Sequence, residues 1–399
     1  MPATRDVSTA IASLVFTSGA LAQHHGAGAQ QEHAPIDWHN EEAALLSDHV
    51  QLTFPDQFEK AGEAYFSPDS KWIVFQAIAK PVPGEQAEAD YQMFVAPVVY
   101  DSNNNITGLG DSIQISTPGS ANTCGWFHPL DPSRVMFGST LVAPTNDDRP
   151  GYQRGESRYA WVFPTEMDIV EVIVPAIADA SRANEAVPSA TPLWKTPAYD
   201  AEGSWSPDGR YILFTHVDMM TEDADIFIRD MTTGELWPLV VAPGYDGGPF
   251  FSADGQRIVY RSDRAGNDLL QVYVADLEFD ATGKPVGISH EHAITENRHV
   301  NWGPFFHPSG EFLVYATSEI GHRNYEVFAR QIPPAGQPTP TTSLASRRIT
   351  HATGFDGLPV FSPDGQWMMW TSQRAGAEPG QERPSSQLWV ARVGDITPR

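Results

Sequence analysis

PVFSPDGQWMMWTS (359–372) holds the pattern on which the chain is built: a short aromatic strand, a Ser-Pro-Asp-Gly turn, then an alternating apolar strand. The turn has a mechanism. Proline presets φ at about −65° in the second position, the Asp side chain caps the turn, and Gly takes positive φ. Such a turn joins two buried strands in a tight hairpin. Five more segments share the pattern: GEAYFSPDSKWIVFQ (62–76), CGWFHPLDPSRVMFGS (124–139), GSWSPDGRYILFTH (203–216), PFFSADGQRIVYRS (249–262) and PFFHPSGEFLVYAT (304–317). The aligned aromatics are Phe66, Phe127, Trp205, Phe251, Phe306 and Phe361. Their spacings of 61, 78, 46, 55 and 55 residues lie near the period of four-stranded propeller blades.

Third strands are expected at 91–98, 167–174, 223–230, 269–276, 324–331 and 386–393, and fourth strands at 111–117, 191–196, 235–241, 292–296 and 347–352. The sixth fourth strand is missing from the C-terminal end. VQLTFP (50–55) supplies it, because its Gln-Leu-Thr is similar to Arg-Ile-Thr at 348–350. The fold expected is therefore all-β: a six-bladed β-propeller of four-stranded antiparallel blades, its last blade closed by the N-terminal strand. Closure removes a sheet edge that would otherwise invite aggregation.

These repeats, with the longer phrases GYDGGPFFSADG (244–255) and GFDGLPVFSPDG (354–365), resemble the six-bladed propellers of the TolB type over residues 48–396. The resemblance implies a binding or scaffold module for a protein, peptide or small ligand at the channel-mouth face. The same kind of propeller also serves peptidase gates and a few lyases, so a metal-dependent polysaccharide-active enzyme of the oligogalacturonate-lyase kind stands as the alternative. TolB carries an α/β domain before its propeller, for which these residues leave no room, so a direct part in the Tol–Pal system is not expected.

Composition narrows the partners. Fifty Asp and Glu face 25 Lys and Arg, a formal charge of −25, and only five of the cations are lysines. Nucleic acids and anionic membranes need clustered cations, so neither is an expected partner. The one cysteine, Cys124, forbids an intrachain disulfide and reads as an inert small hydrophobe. Near the start, an apolar stretch from Ile11 to Ala22 follows Arg5 and ends in Ala20-Leu21-Ala22, a small-x-small cleavage pattern. It is too short to span a bilayer. The expected organisation is a signal peptide at 1–22, a flexible His/Gln/Ala-rich linker at 23–47 and the propeller at 48–399, in a periplasmic or secreted monomer with no transmembrane segment. The linker histidines His24, His25, His33 and His39 suit loose metal contact or plain solvation.

In this architecture the long connections 77–90, 141–165 and 373–385 share one face, the tight turns the other; long loops on a rigid scaffold are where binding surfaces sit. The second includes Asn146-Asp147-Asp148 and the Gly151–Gly155 segment. Five residues before each aligned aromatic comes a polar series: Ala61, Asn122, Asp200, Asp246, Asn301 and Asp356, with Glu63 and Glu202 at minus three. Placed around the channel mouth, Asp200, Asp246 and Asp356 could hold Ca²⁺, or form an electronegative funnel for a cationic ligand. Tyr199, Tyr245 and Phe355 could floor such a pocket. The same aspartates could instead accept backbone N–H groups or pair with Arg264 and Arg374, the bland alternative. No catalytic residue is assigned: no Gly-x-Ser-x-Gly elbow, His-Glu-x-x-His helix or phosphate-cradling glycine loop occurs. The histidine cluster His290, His292 and His299, with His351 one blade later, is the one group to weigh for a lyase-like metal.

Overall fold

The computed structural model describes residues 37–145, 151–154, 159–162, 164–218, 220–221, 223–338, 343–377, 379–381 and 383–399. The leader at 1–22, most of the 23–47 linker, Asn146-Asp147-Asp148 and Gly155 lie outside them. Six sheets, each built around four antiparallel strands, succeed one another along the chain and form a six-bladed propeller. Their innermost strands are Phe58–Phe66, Asn122–His128, Tyr199–Trp205, Asp246–Phe251, Asn301–Phe306 and Asp356–Phe361. In the last blade Leu46–Gln51 pairs with Gln387–Val393, setting Val50 opposite Val390 and Gln51 opposite Trp389. The N-terminal strand thus closes the ring.

The turns show why the repeat works. In four blades a serine hydroxyl donates to the Asp two residues on: Ser67 to Asp69 at 2.7 Å, Ser206 to Asp208 at 2.5 Å, Ser252 to Asp254 at 2.6 Å and Ser362 to Asp364 at 2.6 Å. The same hydroxyl accepts the amide that opens the next strand, from Trp72, Tyr211, Arg257 and Trp367. Gly209, Gly255, Gly310 and Gly365 take φ of 71°, 68°, 72° and 71° there, and Ser70 takes 59° in the first blade. Apolar faces of neighbouring blades then meet. One cluster joins the sixth, first and second blades through Val390, Val360, Phe75, Val74, Phe137 and Val170. Each such side chain contributes about 1.5–3 kcal/mol on burial.

Several boundaries differ from expectation: the closing strand is Leu46–Gln51, not 50–55, and the outer edge of the first blade is Ile106–Leu109 with Ile113–Gln114, not 111–117. The chain packs from Trp38 onward, not from 48: a short helix, Trp38–Glu42, precedes the closing strand, and Glu42, Leu45 and Leu46 are buried. The His/Gln-rich composition of the preceding stretch masks this, because one buried carboxylate carries no periodic signal. In the fourth blade the outer strand is Pro285–Ala293, not 292–296. A tight turn in which Asp280 accepts the amides of Thr282 and Lys284 sends the chain straight back along the third strand. Among the described residues no helix is long and apolar enough to cross a membrane.

Candidate functional site in the central channel

Every innermost strand is interrupted at the same place. Three residues before the aligned aromatic stand Glu63, Cys124, Glu202, Gly248, Gly303 and Leu358, with φ of 41°, 53°, 57°, 60°, 56° and 54°. Each strand's register slips there, the mark of a β-bulge. For an L residue the left-handed region costs about 1–2 kcal/mol, so four of the six bulges are strained. The bulge separates the channel wall into layers.

The layer next to the turns is apolar. Tyr65, Trp126, Phe250 and Phe305, each one residue before an aligned aromatic, converge into a plug. Ring centroids lie 4.8 Å apart for Tyr65–Trp126, 5.2 Å for Trp126–Phe250 and 5.5 Å for Phe250–Phe305. On the turn side of the plug a funnel of about 360 Å³ opens to solvent. All six aligned aromatics line it, together with Pro68, Pro129, Pro207, Pro308 and Pro363.

Beneath the plug the layer is polar and closed. Glu202 accepts from Arg261 at 2.9 Å, Tyr245 Oη at 2.5 Å, Thr215 Oγ1 at 2.8 Å and the Gly248 amide at 2.7 Å. Burial opposes the charge of Arg261, but Glu202 and Tyr245 outweigh it and hold the guanidinium protonated. Across the channel Glu63 accepts from Tyr65 Oη at 3.1 Å, while its own amide donates to Thr371 Oγ1 at 3.0 Å. Burial, helped by the negative Glu202, pushes the Glu63 carboxyl above the usual carboxylate range, against the hydrogen bond from Cys124 and the pull of Arg261. Burial and the facing Glu63 push the Cys124 thiol well up. The thiol therefore stays protonated, and the cluster is not set for nucleophilic chemistry. The cavity among Glu63, Cys124, Glu202 and Arg261 is about 10 Å³, the room of a single water at most.

The minus-five series lies elsewhere. Asn122, Asp200, Asp246, Asn301 and Asp356 are at most 1% exposed, and each bonds within its own part of the ring, although one Asp246 carboxylate oxygen and the Asn301 amide oxygen are left without a partner among the described residues. Asp200 takes His216 Nδ1 at 2.6 Å, Trp194 Nε1 at 2.8 Å and Thr196 Oγ1 at 3.0 Å. Asp246 takes Arg264 at 2.8 Å, and Asp356 takes Arg374 at 3.0 Å and Trp370 Nε1 at 3.1 Å. Asn122 donates to the Tyr91 carbonyl and Asn301 to Gln271. The three aspartates expected to cage Ca²⁺ are not brought together, and among the described residues no three His, Cys, Asp or Glu side chains group as metal ligands. The physical reason is local: a buried carboxylate takes the nearest donor, and each blade supplies one at or just beyond its second strand. Of the tyrosines, Tyr245 reaches the channel through Glu202, and Tyr199 is buried within the field of the same carboxylate. Glu63 and Glu202, both named from the sequence at minus three, are thus the predicted residues that line the polar cavity. Cys124 and Arg261 were missed. Of the histidines, His290 and His292 stack and lie 3.9 and 3.7 Å from Asp276, but the His299 carbonyl accepts from Gln271 and the His351 amide bonds Glu42, so the four do not gather.

No family model matches the chain. Two curated proteins are each 30% identical to part of it. An uncharacterised protein of Agrobacterium fabrum aligns over 113 residues, 28% of this chain, and the Tol-Pal system protein TolB of Wolinella succinogenes over 166 residues, 41% of this chain. The chain spans 34% of the length of each. Among solved structures, TolB from Acinetobacter baumannii is 15% identical with a TM-score of 0.43, covering 86% of this chain and 65% of that one. With its six four-stranded blades and closing N-terminal strand, the chain is a six-bladed β-propeller, similar over part of its length to TolB.

Proposed function

We propose that this chain is an exported binding module that takes an apolar segment of a protein or peptide partner into the funnel at the turn end of its channel. The observation that carries the reading is the funnel itself: six aromatics and five prolines surround about 360 Å³ of open space above an aromatic plug. Rigid aromatic walls around a concavity are the surfaces on which binding energy concentrates. A proline-rich or leucine-bearing segment suits them, because extended apolar chains dock into aromatic-lined grooves at low entropic cost. Export rests on the apolar stretch Ile11 to Ala22.

The test uses peptides selected against residues 37–399. Ala253 occupies the place in the funnel where other blades carry proline, and it is exposed. Ala253→Arg should fill the funnel without touching the core and weaken the selected apolar peptides at least tenfold. Selected peptides that bind Ala253→Arg as tightly as the parent would place the binding surface elsewhere.

A further inference from the structure

On the loop face, a second cavity of about 530 Å³ lies at the junction of the fifth and sixth blades. Its back wall is the Arg374 guanidinium, fully buried and saturated by Glu42, Asp356 and Ser372. Its rim carries Arg323, from the loop joining the second and third strands of the fifth blade, and Arg383, from the equivalent loop of the sixth. Both are exposed, and among the described residues neither has a carboxylate within ion-pair distance. Thr353 and Gln373 complete the polar lining. In a chain with twice as many carboxylates as cations, these two arginines stand on one concavity whose wall carboxylates, Glu42 and Asp356, are both engaged by Arg374.

We propose that this pocket binds a small dianion whose oxygens are shared between the two guanidinium forks. The volume falls in the range of small-molecule sites, roughly 300–1,000 Å³. A guanidinium fork matches carboxylate or phosphate oxygens two at a time. A monoanion fills one fork and leaves the other, so selectivity for two charges is the signature of the site. Dicarboxylates and phosphate monoesters share this chemistry.

Calorimetric titration of the full chain with succinate, inorganic phosphate and acetate separates the cases. Succinate or phosphate should saturate, and whichever does so more tightly names the source. Acetate should bind at least tenfold more weakly. The double variant Arg323→Gln/Arg383→Gln, altered only at exposed side chains, should lose at least tenfold in affinity for the dianion, about 1.4 kcal/mol. Absence of saturation by both dianions, acetate binding as tightly as they do, or equal affinity in the double variant would each overturn the proposal. The funnel lies at the opposite end of the channel, so Ala253→Arg leaves this binding unchanged.

Discussion

Replacing Glu42 with glutamine should lower the melting temperature by about 4 °C, although composition places the residue in a linker. Its side chain and that of Arg374 are both 0% exposed. Glu42 accepts from Arg374 at 3.0 and 3.3 Å, from the His351 amide at 2.7 Å, and is bonded to His49 Nε2 at 2.9 Å. Breaking a buried ion pair costs about 3–5 kcal/mol, because the remaining charge stays out of water. Arg374 keeps Asp356, so the lower end, about 3 kcal/mol, applies. Unfolding entropy of about 2.1 cal/mol/K per residue, over a fold unit of about 360 residues, gives roughly 0.75 kcal/mol/K, hence the 4 °C. The sign with pH is fixed as well. Burial raises the Glu42 carboxyl, but His49 and Arg374 outweigh it and hold it below the usual range. Its contribution is therefore present above the unfolded value and is lost as the pH falls through the lower folded one. Scanning calorimetry at neutral pH and in acid reads both effects, with exposed Glu41→Gln as the control. A Glu42→Gln variant melting within about 1 °C of the parent at neutral pH would refute the clamp and the N-terminal closure that depends on it.

Ser70→Gly should stabilise the fold by about 0.5–1 kcal/mol, since Ser70 alone among the Ser-Pro-Asp turns holds φ of 59° without being glycine; a lower urea midpoint would contradict that account. Glu326 carries the opposite pH dependence to Glu42. Burial, then the neighbouring Asp356, pushes its carboxyl up to about 8 against Thr350 and Arg348. Its stabilising share is complete below the unfolded value and fades as pH rises through about 8. Glu326→Gln should therefore melt near the parent in mild acid and above it in mild alkali, and a variant that loses ground as pH rises would show the carboxylate to be ionised throughout.

The fold was legible because its signals are local and repeated. A Ser-Pro-Asp-Gly turn is encoded in four adjacent residues: the Ser206 hydroxyl and the Asp208 carboxylate also take the Tyr211 and Arg210 amides that follow, and Gly209 supplies the positive φ. Six copies in register leave little freedom for the strands between them. Even the closing strand announced itself, since Val50–Gln51 takes the place in the sixth blade that Arg348 takes in the fifth. The helix before it did not. Glu42 meets Arg374 across 332 residues of chain, and no neighbouring residue encodes that meeting.

The channel was misread for a related reason. In a regular strand, residues one, three and five before the aligned aromatic share a face. The bulge at minus three breaks that alternation, since one extra residue in a strand sends the side chains beyond it to the other face. Tyr65, Trp126, Phe250 and Phe305 therefore line the channel, while Asn122, Asp200, Asp246, Asn301 and Asp356 turn back into the blades. Glycine is the residue that ordinarily betrays a left-handed turn, and it stands at two of the six bulges, Gly248 and Gly303. At those two positions no side chain enters the channel. At the other bulges Glu63, Cys124, Glu202 and Leu358 carry side chains, and the first three of these line the polar cavity. Where the backbone geometry could be read there was no chemistry to find, and where there was chemistry the residue type concealed the geometry.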